Sequence, residues 1–235
     1  MSELFEVATS TSTRHREEEI KRILDRASPI VVWPAEEGIA IIAANRDKRE
    51  NRVHSIYDRI ACVTLGTFSG GTILWQHAAV RASSDGFNLS KGDVSCRIII
   101  RDTSALLSDS FHNWRKGPLF GVEAVFVEVE EERDDDYLIH LNFMGFVNTF
   151  GEARLFGRLD PDEDRNGDRD ELKDNAERKL GEMWNPNRPL SDAIQTLRGE
   201  ELFRGLFASS RVEVVTMDRL AVKEGRFNYV FNRTA

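Results

Sequence analysis

A chain of 235 residues with 40% apolar content can bury one sizeable hydrophobic core or at most two small ones. Its formal net charge of −8 supplies no basic stripe to follow phosphates, which argues against nucleic acid and anionic membranes as partners. No apolar run approaches a membrane span and no charged-then-apolar leader opens the chain. The two cysteines, Cys62 and Cys96, fit buried reduced thiols, so a cytoplasmic location is expected.

Taken in order, residues 1–12 are polar and capless, with Leu4, Phe5 and Val7 as the apolar exceptions. Residues 13–27 place Ile20, Ile23, Leu24 and Ala27 on one helical stripe. Pairs of Glu17 with Lys21 and Glu18 with Arg22 add about 0.2–0.5 kcal/mol each. The continuous apolar runs at 30–33 and 39–44 flank a Pro-to-Gly loop and read as two strands covered on both faces. After a Tyr57-Asp58-Arg59 turn, residues 60–65 add a third strand of the same type. A glycine-rich corner at 66–71 leads into a helix over 72–84, and Asp85-Gly86-Phe87-Asn88 reads as a turn. Asp93 is the expected N-cap of a second helix carrying Val94, Ile98 and Leu107.

Residues 120–129 alternate as a long strand, with Val122, Ala124, Phe126 and Glu128 on one side and Glu123, Val125, Val127 and Val129 on the other. The charged stretch from Glu130 to Asp136 reads as a solvated hairpin tip, because so many charges are not buried without partners. Residues 137–143 return as its paired strand, and 153–157 form another short one. Helices over 169–183 and 190–208, broken at Asn185-Pro186-Asn187-Arg188-Pro189, precede strands at 212–217 and 227–231. This order predicts an α/β (α+β) fold, a four-layer α/β/β/α sandwich behind an extra N-terminal helix. With no repeat and no linker, one domain over residues 1–235 is expected, its core being 28–235.

The residues Arg26, Ala43-Ala44-Asn45, Tyr57-Asp58-Arg59, Gly66 and Asp93-Val94-Ser95-Cys96-Arg97 carry a more specific signal through their order and spacing. Over residues 14–157 the chain resembles a proteasome α subunit of the bacterial, actinobacterial-like type, within the N-terminal nucleophile hydrolase fold superfamily. Beyond Gly157 only the order of elements agrees. The resemblance implies a heptameric α ring, a β-type partner ring bearing the peptidase threonines, and an ATP-dependent unfoldase as activator. It makes residues 1–12 a mobile gate tail, with Leu4, Phe5 and Val7 clustered near the ring axis. It implies that Ile20, Ile23 and Leu24 serve ring assembly, packing on a neighbouring subunit as well as their own. Arg26, Arg52 and Gly66 would line an activator pocket that receives a C-terminal carboxylate, with arginine at position 52 where the family has lysine.

Catalytic relatives of that fold use an N-terminal threonine, an acidic residue and a lysine. The matching positions here are Pro29, Asn45 and Arg52. Proline has no hydroxyl, an amide carries no charge, and a guanidinium does not shuttle protons near neutral pH. A non-catalytic α-type subunit is therefore expected, with Ser28 and Thr64 the nearest hydroxyls. A stand-alone hydrolase or ligase of the same fold, or a homomeric scaffold ring without a peptidase partner, are the alternatives.

Other chemistry finds little support. The loop from Gly66 to Thr72 lacks the lysine of a phosphate-binding loop, and the five histidines show no ligand spacing, so neither cofactor nor metal is expected. Asp162, Asp164, Asn166 and Asp168, with Gly167, match the first half of a calcium loop, but Lys173 stands where a bidentate glutamate belongs. Weak calcium binding and a solvated acidic loop capping the next helix both remain open.

Overall fold

A computed structural model of the chain describes residues 2–45, 51–113, 120–157, 159, 169–208 and 211–234. It is a mixed α/β structure built on two five-stranded antiparallel sheets. Sheet A contains β1 (Ile30–Ala35), β2 (Gly38–Asn45), β8 (Arg154–Phe156), β9 (Arg211–Asp218) and β10 (Phe231–Thr234), in the order β10-β9-β2-β1-β8. Sheet B runs β3-β4-β5-β6-β7, from β3 (Val53–Tyr57), β4 (Ile60–Gly66), β5 (Val122–Glu128), β6 (Tyr137–Leu141) and β7 (Val147–Thr149).

The continuous apolar runs are explained by burial on both faces. Every residue of β1 and β2 is buried. Ile30, Val32, Ile39 and Ile41 share one core with Ala61, Val63, Val125 and Val127 of sheet B. Val31, Trp33, Ala40 and Ile42 share a second with Ala176 and Leu180 of α4 (Arg169–Met183) and Ala193 and Leu197 of α5 (Leu190–Gly199). On sheet B, Ile60, Cys62, Val122, Ala124 and Phe126 join Leu74 and Ala78 of α2 (Phe68–Asn88) and Ile99 and Leu107 of α3 (Cys96–His112) in a third. The alternation read along β5 thus assigns each side of that strand to its core. Each large side chain so buried contributes about 1.5–3 kcal/mol.

Several boundaries differ from the sequence expectations. The first helix, α1, spans Ser2–Leu24. Its sequence contains no glycine or proline, so nothing local stops it at residue 13, and Leu4, Phe5 and Val7 lie on the helix rather than on a separate tail. It closes at Leu24, where the Arg26 and Ala27 amides donate to the Ile23 and Leu24 carbonyls in a tightened last turn. Glu17 pairs with Lys21 as expected, whereas Glu18 turns to Arg14 and Arg22 to Glu19.

Gly66 ends β4, whereas Gly70 and Gly71 belong to α2, whose cap is Thr67, accepting from the Gly70 amide at 3.3 Å. A Cβ at Gly70 would lie 2.3 Å from the Phe120 carbonyl oxygen, so these glycines bring helix and sheet together instead of forming a loop. The helix also continues through Gly86, beneath the Tyr57 hydroxyl. Asp93 does not cap α3; it accepts from Ser90 Oγ at 2.8 Å. The Cys96 amide donates instead to Glu128 Oε2, across from β5, at 2.9 Å. Strands β3 and β7 add to the expected set; β3 is only partly buried and all of β7 is exposed, so neither carries a continuous apolar run. The long helix expected at 190–208 is α5, a 3-10 turn at Glu201–Phe203 and α6 (Arg204–Ala208). After β9, Asp218 caps α7 (Arg219–Lys223), accepting from the Leu220 and Ala221 amides. Residues Phe227–Tyr229 form a 3-10 turn, which delays β10 to Phe231.

The charged hairpin tip is only partly solvated. Asp136 has a 2% exposed side chain and takes both ends of the Arg219 guanidinium at 2.7 Å. Arg219 also donates to the carbonyls of Ala35, Glu36 and Glu130, so it ties together three turns from the two sheets. The calcium-like residues Asp162, Asp164, Asn166 and Asp168 lie outside the described residues.

Candidate functional site

At the opposite end of the strands, the chain entering β1, the end of β2, the starts of β3 and β9 and the end of β4 meet around Arg52. Its Nη1 donates to the carbonyls of Ser28 at 2.9 Å and Ala44 at 2.7 Å. Nε and Nη2 both donate to the Thr64 carbonyl, at 3.1 and 2.9 Å. Glu213 of β9 is 1% exposed, and its Oε2 accepts from the Arg52 amide at 2.9 Å and from Asn45 Nδ2 at 3.4 Å. Arg233 of β10 donates to the Val53 carbonyl at 2.7 Å. Its Nη2 also lies 3.0 Å from Glu213 Oε1, an ion-pair distance without hydrogen-bond alignment.

The structure gathers Pro29, Asn45 and Arg52, the three positions that the resemblance matches to catalytic groups, at this one end of the strands. Pro29 uses its carbonyl to accept from the Ala44 amide at 3.0 Å. Asn45 is buried beside Glu213. The Arg52 guanidinium is directed at backbone oxygens. Among neighbouring hydroxyls, Thr64 Oγ1 sits against Gly71 at the base of α2, and Ser28 is buried.

His54, on β3, stacks on Trp75 of α2 with ring centroids 4.4 Å apart. Burial pushes its pKa below the usual 6.5, with Glu213 opposing that shift and Arg233 reinforcing it. Below about pH 6.5 the unfolded chain takes up the proton more readily, so stability is full above that value and falls as pH drops toward the lowered folded pKa. Replacement of His54 by Phe, which preserves a stacked ring, should flatten this part of the profile. Urea midpoints at about pH 7.5 and 5.5 measure it; an equal acid loss in both proteins would assign the slope to other groups.

Arg26 and Gly66 lie near this cluster and are exposed, Arg26 two residues before Ser28 and Gly66 two residues after Thr64. Gly66 adopts φ +107°, and a Cβ there would stand 2.2 Å from the Gly121 carbonyl oxygen, so glycine is required. Ile20 is buried in its own chain against Phe111 and Phe143, with Leu24 and Met144 beside it. Ile23 is half-buried and approaches Gly121. The side chains of Leu4, Phe5 and Val7 lie outside the described part. Among the described residues, no group of three or more His, Cys, Asp or Glu side chains could hold a metal ion, and no helix is long and apolar enough to cross a membrane.

No protein-family profile matches the chain. Individual proteins do. It is 28% identical over 161 residues to the proteasome subunit alpha of Renibacterium salmoninarum, covering 68% of this chain and 66% of that protein, just under two thirds of its length. It is 25% identical over 220 residues to the proteasome subunit alpha of Thermomonospora curvata, covering 92% of this chain and 88% of the relative. That of Streptosporangium roseum is 25% identical over 223 residues, 91% and 77% of the two chains. The chain resembles actinobacterial proteasome α subunits. The two longer matches carry this similarity well past Gly157, into the last third of the chain, where residue motifs fail and only the element order agrees.

Relative to the α-subunit pattern, Glu213 and Arg233 are the site residues that sequence reasoning missed. A signal for Glu213 existed: at strand spacing it shares a face with Val215 and Met217, which belong to the core between the sheets. A carboxylate on a buried face demands partners, and here they are two backbone amides, an amide side chain and a guanidinium.

Proposed function

We propose that this chain is a non-catalytic α-ring subunit of a bacterial 20S-type proteasome in the cytoplasm, controlling access to a β-type ring that carries the peptidase threonines. The observation that carries the reading is the similarity to actinobacterial proteasome α subunits. It is supported by Pro29, Asn45 and Arg52 standing where a catalytic relative needs a hydroxyl, a carboxylate and a lysine. In this reading the two sheets and the helices on their outer faces form the four-layer α/β/β/α sandwich of an N-terminal nucleophile fold, one domain with α1 added in front. Seven copies make the ring. Ile23 and Leu24, both half-buried, have surface left for a neighbouring subunit, while Ile20 fixes α1 on its own chain. Leu4, Phe5 and Val7 act at the gate on the N-terminal half of the same helix. Arg26 and Gly66, with Arg52 beneath them, make up the docking site of an ATP-dependent unfoldase. The exposed residues Ile73, Val80 and Phe87, spaced i, i+7, i+14 along α2, supply an apolar stripe for the β ring.

Co-expression with a β-type chain that bears an N-terminal threonine tests the proposal. The chain alone should show no turnover of fluorogenic peptides. The co-purified assembly should hydrolyse them and lose that activity to a threonine-directed covalent inhibitor. Turnover by the isolated chain, or failure of any such partner to co-purify, would overturn the reading.

A further inference from the structure

We infer that Arg52 is the staple that fixes the spacing of the two sheets beneath the proposed docking site, a positioning residue and not one that grips the incoming partner. The inference rests on the docking reading above for its functional meaning and on the hydrogen bonds of Arg52 for its substance. Ser28 and Ala44 belong to the β1–β2 side of sheet A, and Thr64 belongs to β4 of sheet B. One guanidinium, a donor only, donates to the carbonyls of all three, at 2.7–3.1 Å. The link is reciprocal, since Glu213 of sheet A takes the backbone amides of Arg52 and Val53 where β3 of sheet B begins, and Arg233 of sheet A donates to the Val53 carbonyl.

These bonds bear on what Arg52 can offer a ligand. Donation to the three carbonyls engages Nε, Nη2 and, twice, Nη1, which commits the planar fork that would otherwise receive a carboxylate in two parallel bonds. Arg26 differs: its side chain is exposed, and it follows the end of α1 on the same segment whose Ser28 carbonyl Arg52 holds. Charge for an anionic partner therefore comes from Arg26, and Arg52 sets where Arg26 and Gly66 stand.

Lysine is the informative replacement, because it keeps the charge but not the fork that reaches three carbonyls. Amide hydrogen exchange on the full chain should show residues 27–33 and 60–66 exchanging at least about tenfold faster in both Arg52→Lys and Arg52→Ala, with Arg26→Ala indistinguishable from wild type. Exchange of Arg52→Lys within about twofold of wild type in both segments would overturn the staple, because charge alone would then suffice. If Arg52→Ala does not fold, the lysine variant decides by itself. The measurement needs no partner, so the staple can stand where docking fails. Conversely, a slow-exchanging Arg52→Lys chain that still engages an activator would refute the staple and leave the docking reading intact.

Discussion

Replacing Arg219 with methionine is expected to destabilise the protein by about 3–5 kcal/mol, the cost of leaving a buried carboxylate without its cation. Arg219 is 3% exposed, and its two hydrogen bonds to Asp136 at 2.7 Å close a bidentate pair in which neither partner reaches water. The same guanidinium satisfies the carbonyls of Ala35, Glu36 and Glu130, so the variant also strands acceptors in the β1–β2 turn and the β5–β6 hairpin. Urea denaturation of the two proteins gives the difference directly. The double variant Arg219→Met with Asp136→Leu should recover part of the loss, since it removes the uncompensated charge. A single variant within about 1 kcal/mol of wild type would mean that water enters this end of the fold and solvates Asp136.

At the other end of the strands, Glu213→Ala should cost a comparable 3–5 kcal/mol or so. Truncation removes the acceptor of the Arg52 and Val53 amides, deprives Asn45 of a bond and leaves Arg233 beside a cavity. The coupling between Glu213 and Arg233, read from Glu213→Ala, Arg233→Met and their combination, should be about 1–3 kcal/mol because the two side chains share one network. Strict additivity would show that Arg233, with a 41% exposed side chain, contributes through its bond to the Val53 carbonyl and not through the carboxylate. The two clusters lie at opposite ends of the same pair of sheets, so their effects should add.

The cores of the fold could be read from the chain because burial imposes a period on sequence. Ile30–Ala35 and Gly38–Asn45 are apolar on both faces and are buried on both faces. Along Val122–Glu128 the alternation of side chains divides the strand between two cores. The positions Pro29, Asn45 and Arg52 were legible through the spacing of the neighbouring motifs, and the structure brings them to one end of the strands. Helix limits were read less well. Glycine near a helix start or end looks like a turn signal in one dimension, whereas Gly70 and Gly86 lie inside α2 to admit the Phe120 carbonyl and the Tyr57 ring.

The sequence by itself thus determined which runs are buried, the mixed α/β class, and that proline, asparagine and arginine occupy positions 29, 45 and 52. These are properties of residue type and local period, and no distant contact is needed to know them. Only the tertiary structure decided which charges are solvated. Asp136 in a run of acids is buried because Arg219, 83 residues away in sequence, reaches it. Glu128 at a strand end caps α3 through the Cys96 amide, and Glu213 in an apolar strand accepts from Arg52 across the sheets. The physical reason is common to all three. A buried charge is tolerable only beside partners that satisfy it, and those partners are set by chain folding over long separations, which local sequence does not encode.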